Sequence, residues 1–216
     1  MIPRVALLLV ASSVPDEGRI VFMGNPGLVR PGFVSTSKSE IKITFSPDGE
    51  RMLWGTIGWE GGAGGWDIWE SRLEGGQWSK PAPVSSNSSQ NDFDPYFAPD
   101  GRGVYFFSNR AGGVGGDDIW FAAFDPERGA YSPAENLGPH MNSTGDEWAP
   151  ILSSDGKRIL FASDGRGGRG LHDRFTSERK DGALLPAEPL PGSVNSTDDD
   201  FDAILLEKDS VLVSSR

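Results

Sequence analysis

Apolar positions in this chain form short runs that are interrupted by turn residues at a regular spacing. An Asp-Gly pair lies between two apolar, aromatic or β-branched runs at Asp48, Asp100 and Asp155. This arrangement is the strongest short-range signal for a β-hairpin. No stretch of ten or more residues has helical periodicity without Gly or Pro. The pattern therefore predicts an all-β protein built from hairpins.

The hairpin segment recurs along the chain. The copies read FSPDGERMLWGT, FAPDGRGVYFFS, LSSDGKRILFAS and LLEKDSVLVSS, and they begin at Phe45, Phe97, Leu152 and Leu205. Successive offsets are 52, 55 and 53 residues. Four short strands per unit at such a fixed period indicate the blades of a β-propeller. The period exceeds the roughly 40–45 residues of small blades, and glycine-rich loops account for the excess.

Two further landmarks keep step with the hairpins. A glycine-rich loop leads into Asp-Ile-Trp at residues 67–69 and 118–120 and into Asp-Arg-Phe at 173–175, and Asn-Ser-Ser/Thr triplets begin at residues 87, 142 and 195. We expect each Asp of the second landmark to cap loop amides and each Trp to pack between blades. The residues with structural roles in the repeat are then Asp48, Asp67, Trp69, Asp100, Asp118, Trp120, Asp155 and Asp173.

The string Ser-Pro-Asp-Gly, followed by YFFSNR and Gly-Gly-x-x-Asp-Ile-Trp, resembles the WD40-like (PD40) repeats of the TolB-like propeller family. The resemblance covers roughly residues 33–216 in three good copies and one decayed copy. It implies a β-propeller of four-stranded blades and, from TolB, a periplasmic binding role. Propellers of this kind also serve as scaffolds, sugar-processing enzymes and peptidase accessory domains.

The domain organisation follows from the repeats. We expect a single propeller domain over residues 14–216, with repeats near 35–86, 87–141, 142–194 and 195–216. Candidate strands Val5–Val10 and Arg19–Met23 would complete the last blade, which gives about four blades. The alternative is a fragment or short form of a five- or six-bladed propeller. Residues 1–13 read either as a short signal peptide of a periplasmic or secreted protein, or as a strand of a cytoplasmic one.

The charge balance limits the partners. A formal net charge of −11 argues against nucleic-acid binding, which needs a basic surface. Cations, neutral sugars and basic protein surfaces fit better. The chain has no Cys and two His, and no hydrolase motif is present. No run approaches the roughly 18 apolar residues of a membrane span.

Acidic residues recur five positions before each Phe45 equivalent. There the polar segment that precedes each repeat, called the link below, enters the innermost strand. Together with acidic residues two positions further on, they give a candidate binding set at the channel mouth: Glu40, Asp92, Asp94, Glu147, Asp200 and Asp202. Lys42 and Ala149 occupy the other two of these later positions. In a second interpretation, each link carboxylate accepts backbone N–H bonds in its own link and sets strand spacing.

One segment has the densest carboxylates. In NSTDDDFD, at residues 195–202, a calcium ion has four candidate ligands: Asp198, Asp199, Asp200 and Asp202. A solvated acidic turn is the other interpretation. The sequence thus predicts a non-enzymatic module that binds a protein, peptide or glycan at an acidic channel mouth, with calcium as the one candidate cofactor. The alternative is a glycan-acting hydrolase or lyase that uses the same carboxylates as acid and base.

Overall fold

The computed structural model describes residues 32–191, 194–205 and 211–214. Across these ranges the secondary structure consists of strands without a helix, and nothing in them qualifies as a helical membrane span. The candidate closure strands Val5–Val10 and Arg19–Met23 and the segment 1–13 lie outside the described residues.

Three complete blades and the start of a fourth follow one another. The first blade contains β1 (Ser39–Phe45), β2 (Arg51–Ile57), β3 (Trp66–Glu74), β4 (Gln77–Trp78) and β5 (Ala82–Pro83). The second contains β6 (Asp92–Phe97), β7 (Gly103–Ser108), β8 (Asp118–Asp125), β9 (Ala130–Tyr131) and β10 (Glu135–Asn136). The third contains β11 (Glu147–Leu152), β12 (Arg158–Ser163), β13 (Asp173–Lys180), β14 (Ala183–Leu184) and β15 (Glu188–Pro189). The fourth begins with β16 (Asp202–Leu205) and β17 (Val211–Ser214).

Each complete blade is an antiparallel sheet of four strands. The first three strands are neighbours, and a broken outer strand of two short segments pairs with the third. The same topology recurs in the second and third blades. The prediction of a β-propeller is confirmed, and the number of blades fits a short or partial propeller.

The Asp-Gly hairpins have one shared geometry. The N–H of Gly49 donates to the Ser46 carbonyl at 2.8 Å, which closes a tight turn inside the five-residue connection between β1 and β2. Gly49 has a φ of 72°, in the left-handed region where a side chain is disfavoured. The equivalent glycines, Gly101 and Gly156, make the same bond at 2.8 Å. The Asp-Gly signal therefore identifies all three turns correctly.

The hydrophobic core lies between blades. In β7, Val104 and Phe106 pack toward the first blade, while Tyr105 and Phe107 pack toward the third. All four are buried, because alternate side chains of a strand point to opposite faces and a neighbouring blade covers each face. This explains why the second strand of the blade is a continuous run of apolar and aromatic residues.

Asn side chains attach each link to the blade before it. Asn142, which is 1% exposed, accepts the N–H of Ile119 at 2.8 Å and donates to its carbonyl at 3.0 Å. The same two bonds join Asn87 to Ile68 and Asn195 to Arg174. The recurring Asn side chain thus extends the hydrogen-bond ladder along the third strand of the blade.

The glycine-rich loops fold around the recurring Asp. Asp67 accepts the N–H groups of Ala63 and Gly64 at 3.0 and 3.1 Å, and Asp118 and Asp173 hold their own loops in the same way. A Cβ on Gly115 would lie 2.3 Å from the carbonyl oxygen of Ser143. Glycine is required there because the loop lies directly against the next link.

The first strands of successive blades contact one another and line the axis. Each of the three complete blades has a bulge in this strand, where the pairing register shifts. The residue at the bulge has a positive φ: 41° at Lys42, 46° at Asp94 and 51° at Ala149. The residues that follow the link carboxylate therefore do not alternate between the two faces as in a regular strand, because the bulge inserts an extra residue and redirects the side chains.

Candidate functional site

The recurring link carboxylates lie beneath the surface. Asp92, Glu147 and Asp200 are 0% exposed, whereas Glu40 is half-buried. Each of the three buried groups accepts the backbone N–H of the residue four positions earlier, such as Ser88 N to Asp92 Oδ2 at 2.7 Å. Because these three carboxylates are fully buried, they cannot contact a ligand at the channel mouth directly. Their contacts match the second interpretation, in which they shape the links.

Glu147 shows how such a carboxylate is satisfied. Ser143 donates its N–H to Oε2 at 2.7 Å, and the Ser143 and Ser163 hydroxyls donate to Oε1 at 2.5 and 2.7 Å. Burial raises the pKa of Glu147, and these donors and the nearby Arg166 guanidinium oppose the rise. At Asp200 burial also acts to raise the pKa, but the Ser196 donors and Arg174 lower it overall.

Arginines neutralise the buried acids. Arg110 Nη2 bonds directly to Asp92 Oδ1 and also donates to the Ser86 carbonyl at 3.0 Å. In the third blade the Nε of Arg166 lies 4.0 Å from Glu147 Oε1. Arg174 Nη1 lies 3.2 Å from Asp200 Oδ1. Buried charge is tolerated here because each carboxylate has a cation and hydrogen-bond donors.

Three charged side chains meet at the propeller axis, each two residues after a link carboxylate in the sequence. Lys42, Asp94 and Asp202 come from the first strands of the first, second and fourth blades. Lys42 Nζ lies 3.8 Å from Asp202 Oδ1, so the first strands of the first and fourth described blades approach each other at the axis. Ala149 stands at the equivalent place in the third blade and adds no charge. The group carries one positive and two negative formal charges.

Asp94 is the least satisfied member of this group. It is half-buried, and no donor in the described part of the chain forms a hydrogen bond with its carboxylate. Burial raises its pKa above the usual 3.8, the Lys42 ammonium opposes this rise, and the Asp202 carboxylate adds to it. A half-buried carboxylate without a donor is suited to accept a cationic group of a ligand.

The acidic segment at residues 195–202 does not converge on one point. The Asp199 carboxylate contacts His172, Asp200 pairs with Arg174, and Asp202 pairs with Lys42. Asp198 is exposed and its N–H donates to Ser196 Oγ at 3.0 Å. The four candidate calcium ligands thus face different partners. Asp202, the last of the four, is already the first residue of β16, so it belongs to a strand and not to the loop that holds the other three.

A cleft of about 1010 Å³ lies at the other end of the second and third blades. Tyr105, Leu137 and Leu184 form part of its wall. Charged side chains are balanced there, since Asp100, Glu135 and Asp155 oppose Arg102, Lys157 and Arg179. This cleft is not among the sites predicted from the sequence. Because its charges indicate no ligand class, the axial group is the better candidate site.

Comparison with known proteins supports the fold. No family model and no curated protein match the chain. Solved structures do match. A TolB candidate from Agrobacterium tumefaciens has a TM-score of 0.52 and 20% identity, over 84% of this chain and 59% of that chain. The chain therefore spans about three fifths of the length of this neighbour.

Two enzymes are also among the structural neighbours. A puromycin-hydrolyzing peptidase from Mycobacterium tuberculosis gives a TM-score of 0.52 at 15% identity, over 85% of this chain and 30% of that chain. A periplasmic gluconolactonase from Pseudomonas aeruginosa gives 0.50 at 14% identity, over 81% and 49%. At these identities the likeness shows the β-propeller fold alone. TolB-like proteins and hydrolases share it, so fold does not separate binding from catalysis.

Proposed function

We propose that this chain is a non-enzymatic β-propeller that binds a cationic group of a protein or peptide ligand at its axial channel. The observation that carries the proposal is the Asp94 carboxylate, which is half-buried without a hydrogen-bond donor among the described residues. A lysine or arginine of a ligand would provide the donor and the opposite charge. The net charge of −11 favours the approach of such a ligand.

The other members of the predicted binding set take different roles in this proposal. Asp202 adds negative charge beside Asp94, while Lys42 limits the repulsion between them. Glu40 is half-buried in its link, where it accepts the Thr36 hydroxyl. The buried Asp92, Glu147 and Asp200 hold the links in place.

The cell envelope is the compartment we propose. The gluconolactonase among the structural neighbours is described as periplasmic, and one interpretation of residues 1–13 is a signal peptide. Fractionation of cells that express the full chain tests this point. Recovery from the periplasm supports it, and recovery from the cytoplasm contradicts it without affecting the binding proposal.

Binding of charged peptides tests the site. Fluorescence anisotropy with a labelled oligolysine peptide should show saturable binding, and an oligoglutamate peptide should show none. Asp94→Asn should weaken oligolysine binding at least about tenfold, since a hydrogen bond to a charged group contributes about 1.5–3 kcal/mol. Asp155→Asn removes one charge from an exposed turn at the other end and should change nothing. Equal binding of both peptides, or an unchanged affinity in Asp94→Asn, would contradict the proposal.

A glycan-acting enzyme is the second candidate. The observation in its favour is that burial, and to a smaller extent the Asp202 carboxylate, raises the pKa of Asp94. Such a difference is expected when one carboxyl serves as an acid and another as a base. The wild-type protein and Asp202→Asn should be incubated with acidic and neutral oligosaccharides, and new reducing ends measured. Turnover by the wild type that Asp202→Asn abolishes would support catalysis. No turnover, with oligolysine binding intact, supports the binding module.

A further inference from the structure

Two carboxylates and an imidazole converge away from the axial group. Asp146 precedes β11, whereas Asp164 and His172 lie at the two ends of the connection between β12 and β13, so the three residues come from two separate connections. Their ligand atoms lie within 4.8 Å of one another. Among the described residues this is the one such group of three metal-ligating side chains. The chain brings it together only by folding.

His172 is held with one ring nitrogen committed and the other unpartnered. The residue is 7% exposed, and its ring stacks on Trp148 with centroids 3.8 Å apart. Nδ1 lies 2.8 Å from Asp199 Oδ1. A carboxylate only accepts, so in the neutral imidazole this contact places the proton on Nδ1 and the lone pair on Nε2. Nε2 is buried and has no hydrogen-bond partner in the described structure.

The arrangement around His172 is typical of a metal ligand. In metal sites a ligating histidine donates its other N–H to a carboxylate or carbonyl, which fixes the tautomer and the orientation of the ring. Asp199 occupies that place. A buried nitrogen without a partner destabilises the folded state because it has lost its hydrogen bond to water, and a cation at Nε2 would remove this cost.

Each carboxylate of the group has one oxygen in use and a second available. Asp146 Oδ1 accepts the N–H of Asp117 at 2.8 Å. Asp164 Oδ1 accepts the N–H of Asp146 at 2.7 Å. These bonds fix both side chains in position. The second oxygen of each carboxylate makes no hydrogen bond within the described residues.

The second blade makes the same backbone contacts without the charge. Asn91 Oδ1 accepts the N–H of Trp66 at 3.0 Å, and Asn109 Oδ1 accepts the N–H of Asn91 at 3.0 Å. Amides therefore suffice for the architecture. Carboxylates at Asp146 and Asp164 add negative charge that the fold does not require. A cation gives that charge a physical role.

We propose that Asp146, Asp164 and His172 bind a divalent transition-metal ion of the zinc class. Imidazole nitrogen and carboxylate oxygen are both zinc ligands, whereas calcium takes oxygen ligands. Zinc bonds of about 2.0–2.2 Å place ligand atoms no more than about 4.4 Å apart, which is close to the 4.8 Å within which these three ligand atoms lie. Asp164 is exposed, which gives the ion a path from solvent. The site is independent of the axial binding proposed above.

Isothermal titration calorimetry with zinc chloride alone, on protein first treated with EDTA, tests the site. The wild type should bind one zinc ion, and calcium should bind at least about tenfold more weakly because imidazole suits zinc. Asp146→Asn, Asp164→Asn and His172→Gln should each lower zinc affinity by at least about tenfold, the loss seen even for outer partners of metal ligands. Asp198→Asn removes an exposed charge on a neighbouring link and should bind zinc like the wild type.

The outcomes are decisive in either direction. No zinc binding by the wild type, undiminished binding by Asp146→Asn, or calcium binding equal to zinc would overturn the proposal. Circular dichroism identifies any variant that fails to fold. In that case a zinc-soaked crystal of the wild type replaces the variants: an anomalous peak beside His172 Nε2 supports the site, and a peak confined to His140 refutes it.

Discussion

The links of the second and third blades have the same backbone and different charges. Asn91 and Asn109 make in one blade the bonds that Asp146 and Asp164 make in the next. Asp117 in the second blade corresponds to His172 in the third, because each immediately precedes the Asp that caps the glycine loop. In a repeat protein, what recurs serves the architecture. What differs at an equivalent position is free to serve a ligand.

Among the substitutions that test this comparison, those of the arginines beside the buried acids should have the largest effect on the free energy of unfolding. Arg110 bonds directly to Asp92, whereas Arg166 lies 4.0 Å from a Glu147 that hydroxyl and amide donors already satisfy. Arg110→Ala should cost about 3–5 kcal/mol, as expected when a buried charge loses its partner. Arg166→Ala should cost clearly less. Urea unfolding followed by circular dichroism measures both, and equal losses would show that the two arginines are equivalent.

Substitutions of the Asn residues that bond each link to the preceding blade should have the next largest effect on stability. Asn142 is almost fully buried and also donates to Asn136 Oδ1 at 2.9 Å, whereas Asn87 is half-buried. Asn142→Ala should cost about 2–3 kcal/mol because the N–H and carbonyl of Ile119 lose their partner. Asn87→Ala should cost less, since water can reach its backbone partners. Thermal melts of the two variants provide the measurement, and a larger loss at Asn87 would contradict this account of burial.

The fold could be read from the sequence because its signals are local. Asp-Gly turns, alternating runs and the Asn triplets each act within a few residues, and their period reveals the blades. The sequence places Asp94 and Asp202 at the channel mouth, but it does not separate them from the buried link carboxylates, since that difference depends on a bulge at Lys42, Asp94 and Ala149. These three residue types share no property that predicts a positive φ.

The cluster at His172 was missed for a different reason. Its residues lie on two connections that are separate in the sequence, and the recurrence that revealed the blades points only to positions that all repeats share. The signal that was available is the departure from recurrence. Asp146 and Asp164 stand where the preceding repeat has Asn91 and Asn109.

Asp94→Asn should stabilise the protein while it weakens peptide binding. Burial raises the pKa of Asp94, so its ionised form destabilises the folded state at neutral pH. Asn also tolerates the positive φ of this position. The melting temperature of the variant should exceed that of the wild type at pH 7. The difference should close as pH falls through the raised pKa toward the ordinary value of 3.8. A gap that persists or widens in acid would contradict this electrostatic cause.

A substitution in one of the exposed Asp-Gly turns should have the smallest effect on the free energy of unfolding. The Ser46 hydroxyl and the N–H of Glu50 lower the pKa of Asp48, so its charge stabilises the fold above the usual 3.8. This contribution is lost as pH falls through the lowered pKa. Asp48→Asn should cost no more than about 0.5 kcal/mol at pH 7, because the group is exposed. Urea unfolding at pH 7 and pH 3 measures the difference, and a loss that grows in acid would contradict the sign.

The most direct test of the contrast between the two links is a set of thermal melts of the wild type and of Asp146→Asn/Asp164→Asn, in EDTA and then in excess zinc. We predict that the double variant melts in EDTA at the temperature of the wild type or above it, because Asn91 and Asn109 show that amides maintain the same backbone bonds. Zinc should then raise the melting temperature of the wild type alone, since an ion that binds only the native state stabilises it. A variant that melts lower in EDTA and responds to zinc like the wild type would show that these carboxylates serve the fold and not a cation.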